Sequence, residues 1–148
     1  MALALDTNLL IYAHFEEYPE HPKARRFMER LFSLPDPFYI GWQIYYEYLR
    51  LATHPRLHRI PLNARRAAED MRLYLGDPRC RILLETDSHQ RTVEEILRTM
   101  PSARGNFMHD CHYAALLKEH AVKEIATADS DFKKFDFLKV INPILEEG

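Results

Sequence analysis

The sequence lacks any apolar run approaching the roughly 20 residues that a membrane-spanning helix requires. It contains two cysteines, Cys80 and Cys111, which lie far apart and form no CxxC or Cys/His metal pattern. We therefore interpret both thiols as packing residues in a reducing compartment rather than as disulfide or zinc ligands. His109 and His112 lie three residues apart, but no further Cys or His lies at ligand spacing nearby, which disfavours zinc.

A strong excess of positive charge is also missing, because the formal net charge is −2. This argues against a protein that binds nucleic acid merely by being basic throughout. The arginines are nevertheless concentrated between Arg50 and Arg72, where there are six of them. Such a local basic surface suits an enzyme that acts on a polyanion, although two solvated helix faces would give the same pattern. We expect Arg50, Arg56 and Arg59 to contact phosphates.

The N-terminal residues Met1 to Leu5 are mainly apolar and are followed at once by Asp6, without the basic segment that opens a signal peptide. A cytoplasmic protein is therefore expected. Neither a linker nor a repeat interrupts the chain, and 148 residues suit one domain, residues 1–148.

Predicted strands alternate with predicted helices along the chain, which favours a three-layer α/β/α sandwich around a parallel sheet of four to five strands. Proline and asparagine residues such as Pro55 and Asn63 mark several of the helix ends. The strands are expected at residues 2–5, 38–40, 81–84, 124–127 and 138–141, and the helices at 6–12, 21–32, 42–53, 63–75, 87–100 and 106–120.

Two aspartates follow predicted strands directly. Asp6 ends the first strand and Asp129 lies just beyond the fourth. Ligands of parallel sheets bind beyond the carboxyl ends of the strands, where the strand order reverses. Each aspartate could instead simply cap a helix, a role that Asp fills well.

Two further acids lie on helix faces that should pack against the rest of the domain. Asp110 shares its face with Ala114, Leu117 and Ala121, and Glu47 shares one with Ile44, Tyr48 and Leu51. A buried carboxylate needs a partner, and two of them beside two strand-end acids require a cation. An all-oxygen ligand set suits Mg²⁺ or Mn²⁺, and such ions can activate water for phosphodiester hydrolysis.

Several motifs in their order along the chain resemble those of PIN-domain nucleases, and more narrowly those of VapC-type ribonuclease toxins of toxin–antitoxin pairs. The similarity covers nearly the whole chain. The motifs are Asp6-Thr7-Asn8, Glu47-Tyr48-Leu49-Arg50, Gly105-Asn106 leading into His109-Asp110, and Thr127-Ala128-Asp129-Ser130-Asp131-Phe132.

The resemblance implies a magnesium-dependent ribonuclease in which Asp6, Glu47, Asp110 and Asp129 are catalytic and bind the metal. It makes Asp131 a further ligand or a supporting group. It also implies an antitoxin partner and a homodimer, with an antitoxin segment held near Tyr12, Phe15 and Tyr18 unless these aromatics belong to the core. The small polar residues expected to orient the acids are Thr7, Asn8 and Thr127.

Two other interpretations are compatible with parts of the sequence. An aspartyl-phosphate protein of the receiver or phosphatase kind also has an aspartate after its first strand. The phosphatase pattern has a second aspartate two residues later, where this chain has Asn8. A PIN-like domain that binds RNA or protein without cleavage is the other alternative, and the complete set of acids argues against it.

Overall fold

The computed structural model describes residues 2–145. Five strands and six α-helices form this part of the chain, and a short 3₁₀ helix (Ser130–Lys134) follows the fourth strand. The strands are β1 (Leu3–Leu5), β2 (Phe38–Gly41), β3 (Cys80–Leu83), β4 (Glu124–Ala126) and β5 (Lys139–Ile141). The helices are α1 (Thr7–His14), α2 (His21–Ser33), α3 (Trp42–Ala52), α4 (Ala64–Leu75), α5 (His89–Arg98) and α6 (Phe107–Glu119).

The ends of these elements follow local residue chemistry. Asn63 caps α4, and its side chain accepts a hydrogen bond from the backbone N–H of Arg66 at 2.8 Å. Pro22 lies in the first turn of α2, where its missing N–H is not needed. The predicted helices and strands are confirmed, with ends within two residues of the prediction, whereas the 3₁₀ helix was not predicted.

The predicted packed face of α6 is wrong at its last position. Helix α6 ends at Glu119, and Ala121 lies in the following turn with a left-handed φ of 55°. Its side chain is consequently exposed, while Ala114 and Leu117 are fully buried as expected. A periodic pattern read from sequence continues past the residue at which the backbone leaves the helix.

All strand pairs in the five-stranded sheet are parallel, in the order β3-β2-β1-β4-β5. The chain moves outward from β1 through β2 to β3, and then returns to the other side of β1 for β4 and β5. The order therefore reverses between β1 and β4, so that their carboxyl ends flank the crevice where ligands bind in such sheets.

Helices α1 to α4 pack on one another, and α5 packs on α6. Connections between parallel strands are right-handed. The helices of connections that run from β1 towards β3 therefore lie on one face of the sheet, and the helices of the connection that runs back to β4 lie on the other face. The predicted three-layer α/β/α architecture is confirmed. Within residues 2–145, no helix is long and apolar enough to cross a membrane.

Candidate active site

Asp6 lies at the switch point, directly after β1, and its side chain is buried. Its Oδ1 accepts a hydrogen bond from the backbone N–H of Thr7 at 2.8 Å, which makes Asp6 the N-cap of α1. Its Oδ2 accepts hydrogen bonds from the hydroxyl of Thr127 at 2.7 Å and from the side-chain amide of Asn8 at 3.3 Å. These donors fix the carboxylate while leaving lone pairs for a further ligand. The capping role and a ligand role are thus compatible.

Asn8 and Thr127 join the segments after β1 and β4. The amide nitrogen of Asn8 also donates to the hydroxyl oxygen of Thr127 at 3.0 Å, and its amide oxygen accepts the N–H of Ala128 at 3.0 Å. Thr127 is fully buried, and its hydroxyl also accepts the N–H of Asp129 at 2.9 Å. Both side chains therefore form hydrogen bonds with acids of the cleft or with their backbone. The buried hydroxyl of Thr7, in contrast, has no hydrogen-bond partner among residues 2–145, and this residue supports Asp6 through its backbone.

Three acids meet on the other side of the crevice. Asp110 on α6, Asp129 after β4 and Asp131 in the 3₁₀ helix each offer a carboxylate oxygen, and these oxygens lie within 4.8 Å of one another. Asp129 Oδ1 accepts the N–H of Asp131 at 2.8 Å and so begins the 3₁₀ helix. The predicted site residue Asp131 thus belongs to this group by distance.

Glu47 reaches the same crevice from α3. Together with Asp6 and the three clustered acids it lines an open cleft of about 690 Å³. Ile44 and Tyr48 on its helix face are buried as expected, but Glu47 itself is half-buried, as is Asp110. The prediction that these two acids are buried is therefore correct only in part. Both lie where a packed helix face meets the open cleft.

The crowding of acids changes their proton affinity. Burial raises the pKa of Asp110 from 3.8 to about 7, and the negative charges of the neighbouring acids add to the effect. Burial also raises the pKa of Asp6 from 3.8 to about 6, although the hydrogen bonds from Thr127 and Thr7 oppose this. These carboxylates therefore resist carrying their full negative charge together in the absence of an added positive charge.

The structure adds residues to the site that sequence reasoning missed. Tyr113 is buried on α6 and donates a hydrogen bond to the carbonyl of Leu5 at 2.7 Å. This contact holds α6 against the end of β1, and so holds Asp110 opposite Asp6. The lining of the cleft also includes Gln43 and His109. Gln43 lies one turn before Glu47 on α3, a spacing that could have identified it.

The basic segment divides into two parts. Arg50 lies one turn after Glu47 on α3 and lines the acidic cleft. Arg56 and Arg59 lie in the exposed loop between α3 and α4. The backbone N–H of Arg59 donates to the carboxylate of Glu17 at 3.3 Å, and the Arg59 side chain is exposed.

The N-terminal aromatics differ in their surroundings. Phe15 is a core residue that stacks on His58, with ring centroids 3.9 Å apart, so the core interpretation is right for this residue. Tyr12 and Tyr18 remain half-buried and contact each other edge to face at 5.2 Å. Cys111 is buried as expected, and burial together with Asp110 raises the pKa of its thiol.

The parallel sheet and its acids define a class: an α/β protein with a carboxylate-lined cleft at the switch point of the sheet. The PIN domain family model matches residues 3–138, which include all five acids of the cleft. The chain belongs to the PIN domain family. This membership leaves the aspartyl-phosphate interpretation without support.

Individual proteins are similar over almost the entire chain. Ribonuclease VapC48 of Mycobacterium tuberculosis is 29% identical over 143 residues, which cover 97% of this chain and 98% of that protein. The structure of VapBC-1 from nontypeable Haemophilus influenzae superposes with a TM-score of 0.66 at 17% identity, covering 97% and 98% of the two chains. A toxin–antitoxin complex from Klebsiella pneumoniae gives a TM-score of 0.60 at 16% identity, covering 95% and 97%.

Proposed function

We propose that this protein is a metal-dependent endoribonuclease that hydrolyses RNA phosphodiester bonds as the toxin of a toxin–antitoxin pair. The observation that carries the proposal is the convergence of Asp6, Glu47, Asp110 and Asp129 on one cleft from four separate segments of the chain. The similarity to ribonuclease VapC48 over 97% of the chain supports the same activity. The chain acts as one PIN domain over residues 1–148.

The donor set fits a hard divalent cation. The four acids offer oxygen ligands, and Asp131 adds a fifth carboxylate within reach of Asp110 and Asp129. Mg²⁺ and Mn²⁺ prefer such ligands. The raised pKa values of Asp6 and Asp110 mark a surplus of negative charge that a cation would offset. When bound, the ion supplies a Lewis acid for the phosphate and lowers the pKa of a water.

The residues of this chain orient the acids. Thr127 and Asn8 hold Oδ2 of Asp6, so the carboxylate keeps one direction towards the cleft. Asp129 is held through Oδ1, which leaves Oδ2 available. Tyr113 fixes α6 and with it the position of Asp110. Such positioning matters because the supporting hydrogen bonds around metal ligands set both their direction and their basicity.

Cleavage assays test the assignment. The protein should cut RNA in Mg²⁺ or Mn²⁺ and should be inactive in chelator. Asp6→Asn and Asp129→Asn should abolish cleavage, whereas Asp136→Asn, a matched change at an exposed acid outside the cleft, should leave it intact. Activity in chelator, or parent rates in Asp6→Asn, would overturn the proposal. Binding of RNA without cleavage by the parent in either metal would establish the non-cleaving alternative.

The arginines are proposed to bind the RNA backbone. Arg50 lies in the cleft beside Glu47. Arg50→Ala should therefore weaken RNA binding and reduce the slope of log affinity against log salt by about one, the value of one lost phosphate contact. Arg56 and Arg59 in the exposed loop would contact phosphates that flank the cut. If Arg56→Ala and Arg59→Ala leave the salt slope of binding unchanged, this loop is only a solvated surface. Arg98→Ala, at the exposed end of α5, is the control.

An antitoxin is the proposed protein partner, in keeping with the toxin–antitoxin complex from Klebsiella pneumoniae that shares this fold. We further propose that the protein is a homodimer and that it is cytoplasmic. Tyr12 and Tyr18 are half-buried and so still partly open to solvent. An antitoxin that covers them should slow hydrogen exchange in the Tyr12 to Tyr18 segment. Light scattering measures the size of the free protein. A monomer at micromolar concentration would contradict the dimer without affecting the nuclease assignment.

A further inference from the structure

A second group of metal-ligating side chains lies outside the acidic cleft. It consists of Glu85, after β3, His89, the first residue of α5, and His112, on α6. One ligand atom from each lies within 4.8 Å of the others. Nε2 of His112 is 2.7 Å from Oε1 of Glu85, and the two imidazole rings are 5.4 Å apart between centroids. Glu85 and His112 are open to solvent, so an ion can reach them.

A buried carboxylate supports this group from behind. The side chain of Glu119 is only 1% exposed, and its Oε2 accepts a hydrogen bond from Nδ1 of His89 at 2.7 Å. Its Oε1 accepts bonds from the backbone N–H and the hydroxyl of Thr86, at 3.0 and 2.7 Å. Because Nδ1 of His89 donates to a carboxylate, Nε2 carries the lone pair that a metal needs. This arrangement of carboxylate and imidazole is the usual support of a metal-binding histidine.

We propose that Glu85, His89 and His112 bind a zinc ion, with Glu119 as the residue that orients His89. Two imidazoles and one carboxylate form an established zinc ligand set, which leaves a fourth position for water. Magnesium is not expected here, because it prefers an all-oxygen environment. Zn–N and Zn–O bonds of about 2.1 Å place tetrahedral ligands roughly 3.4 Å apart. In this structure the ligand atoms of Glu85, His89 and His112 lie between 2.7 Å and at most 4.8 Å from one another, a range that includes the separation of roughly 3.4 Å.

The proposed zinc site is separate from the acidic cleft. His112 and Asp110 are both on α6, but two residues correspond to about 200° of helix rotation, so their side chains lie on different sides. The cleft is lined by His109, Asp110 and Tyr113 rather than by His112. A bound ion would join the segment after β3 to α5 and α6. Its expected role is to stabilise this side of the domain, and the proposal does not depend on the nuclease assignment.

Zinc binding to the full chain is measured by equilibrium dialysis with metal analysis, in millimolar Mg²⁺ to occupy the acidic cleft. The parent should bind one equivalent of zinc at micromolar concentration, and zinc should raise its melting temperature. His89→Gln and His112→Gln should each weaken binding by ~100-fold or more. Glu119→Gln should weaken it by about 10- to 100-fold. Co²⁺ in place of zinc should give the visible absorption of a tetrahedral ion.

Two controls separate this site from other zinc ligands. His54→Gln removes a histidine from the loop between α3 and α4 and should bind zinc like the parent. Asp6→Asn should also bind like the parent, even though it is expected to lose cleavage. If a histidine variant fails to fold, Glu85→Gln at an exposed position provides the same test. The proposal is wrong if the parent binds no zinc, or if zinc binding is unchanged in His89→Gln, His112→Gln and Glu85→Gln.

Discussion

Replacing Asp110 with asparagine should stabilise the metal-free protein at neutral pH. The pKa of Asp110 is raised to about 7 from 3.8, a difference of about 3 units that corresponds to ~4 kcal/mol if fully expressed. The carboxyl is half-buried, and solvent screening reduces this to ~1–2 kcal/mol. No group within residues 2–145 donates a hydrogen bond to the Asp110 carboxylate, so the amide removes charge without breaking a bond. The melting temperature should rise by about 2–8 °C.

The pH dependence gives the sign of the effect. A carboxyl whose pKa is raised on folding favours the folded state while protonated, and this contribution disappears as pH rises from about 4 through 7. The free energy of unfolding of the parent should therefore fall across this window more steeply than that of Asp110→Asn. The two proteins should be equally stable near pH 4. Above pH 7 the variant should be the more stable one.

Urea unfolding in chelator at pH 4, 5.5 and 7.5 measures this difference, with Asp136→Asn as the control for loss of an exposed acid. The same series in saturating Mg²⁺ should reverse the order, because a ligand that binds only the folded state stabilises it and the variant binds it poorly. If Asp110→Asn is less stable than the parent in chelator at pH 7.5, or if the difference does not change with pH, the electrostatic reasoning fails.

Three further changes test the supports of the site. Tyr113→Phe removes a buried hydroxyl that donates at 2.7 Å to the carbonyl of Leu5. It should lower the free energy of unfolding by ~1–2 kcal/mol in urea titrations. An unchanged free energy of unfolding would mean that the contact is dispensable. Asn63→Ala removes the cap of α4 and should lower the free energy of unfolding by about 1 kcal/mol without changing the rate of RNA cleavage. Thr127→Val removes a bond that lowers the pKa of Asp6, so the rising limb of the pH–rate profile should move to higher pH, while Thr127→Ser should restore it.

The sequence was sufficient for the features that depend on local chemistry. The predicted strand ends and the switch-point rule placed Asp6 and Asp129 at the ligand crevice of the sheet, where both line the cleft. Helix periodicity placed Glu47 and Asp110 on the correct sides of α3 and α6. Each of these inferences needs only a few neighbouring residues and a general rule of parallel sheets.

Features that depend on distant residues were not predictable in the same way. Nothing near Tyr113 indicates that its hydroxyl meets the carbonyl of Leu5, 108 residues earlier. The pairing of His112 with His89 was not predictable from neighbouring residues, because His89 precedes it by 23 residues and reaches it only through the packing of α5 on α6. Thr7 and Thr127 look alike in sequence, yet only the hydroxyl of Thr127 contacts the acids, because tertiary packing determines which side chains meet.

The hydrogen bond between Thr127 and Asp6 joins residues that are 121 positions apart. During synthesis Asp6 is made well before its partner strand β4, which spans Glu124–Ala126. At translation rates of about 5–20 residues per second, the chain spends on the order of ten seconds with an incomplete acidic cleft. The acidic cleft of a growing chain therefore cannot assemble before β4 and Thr127 have left the ribosome. The position of β1 between β2 and β4 thus makes completion of the cleft depend on a strand that is synthesised long after β1.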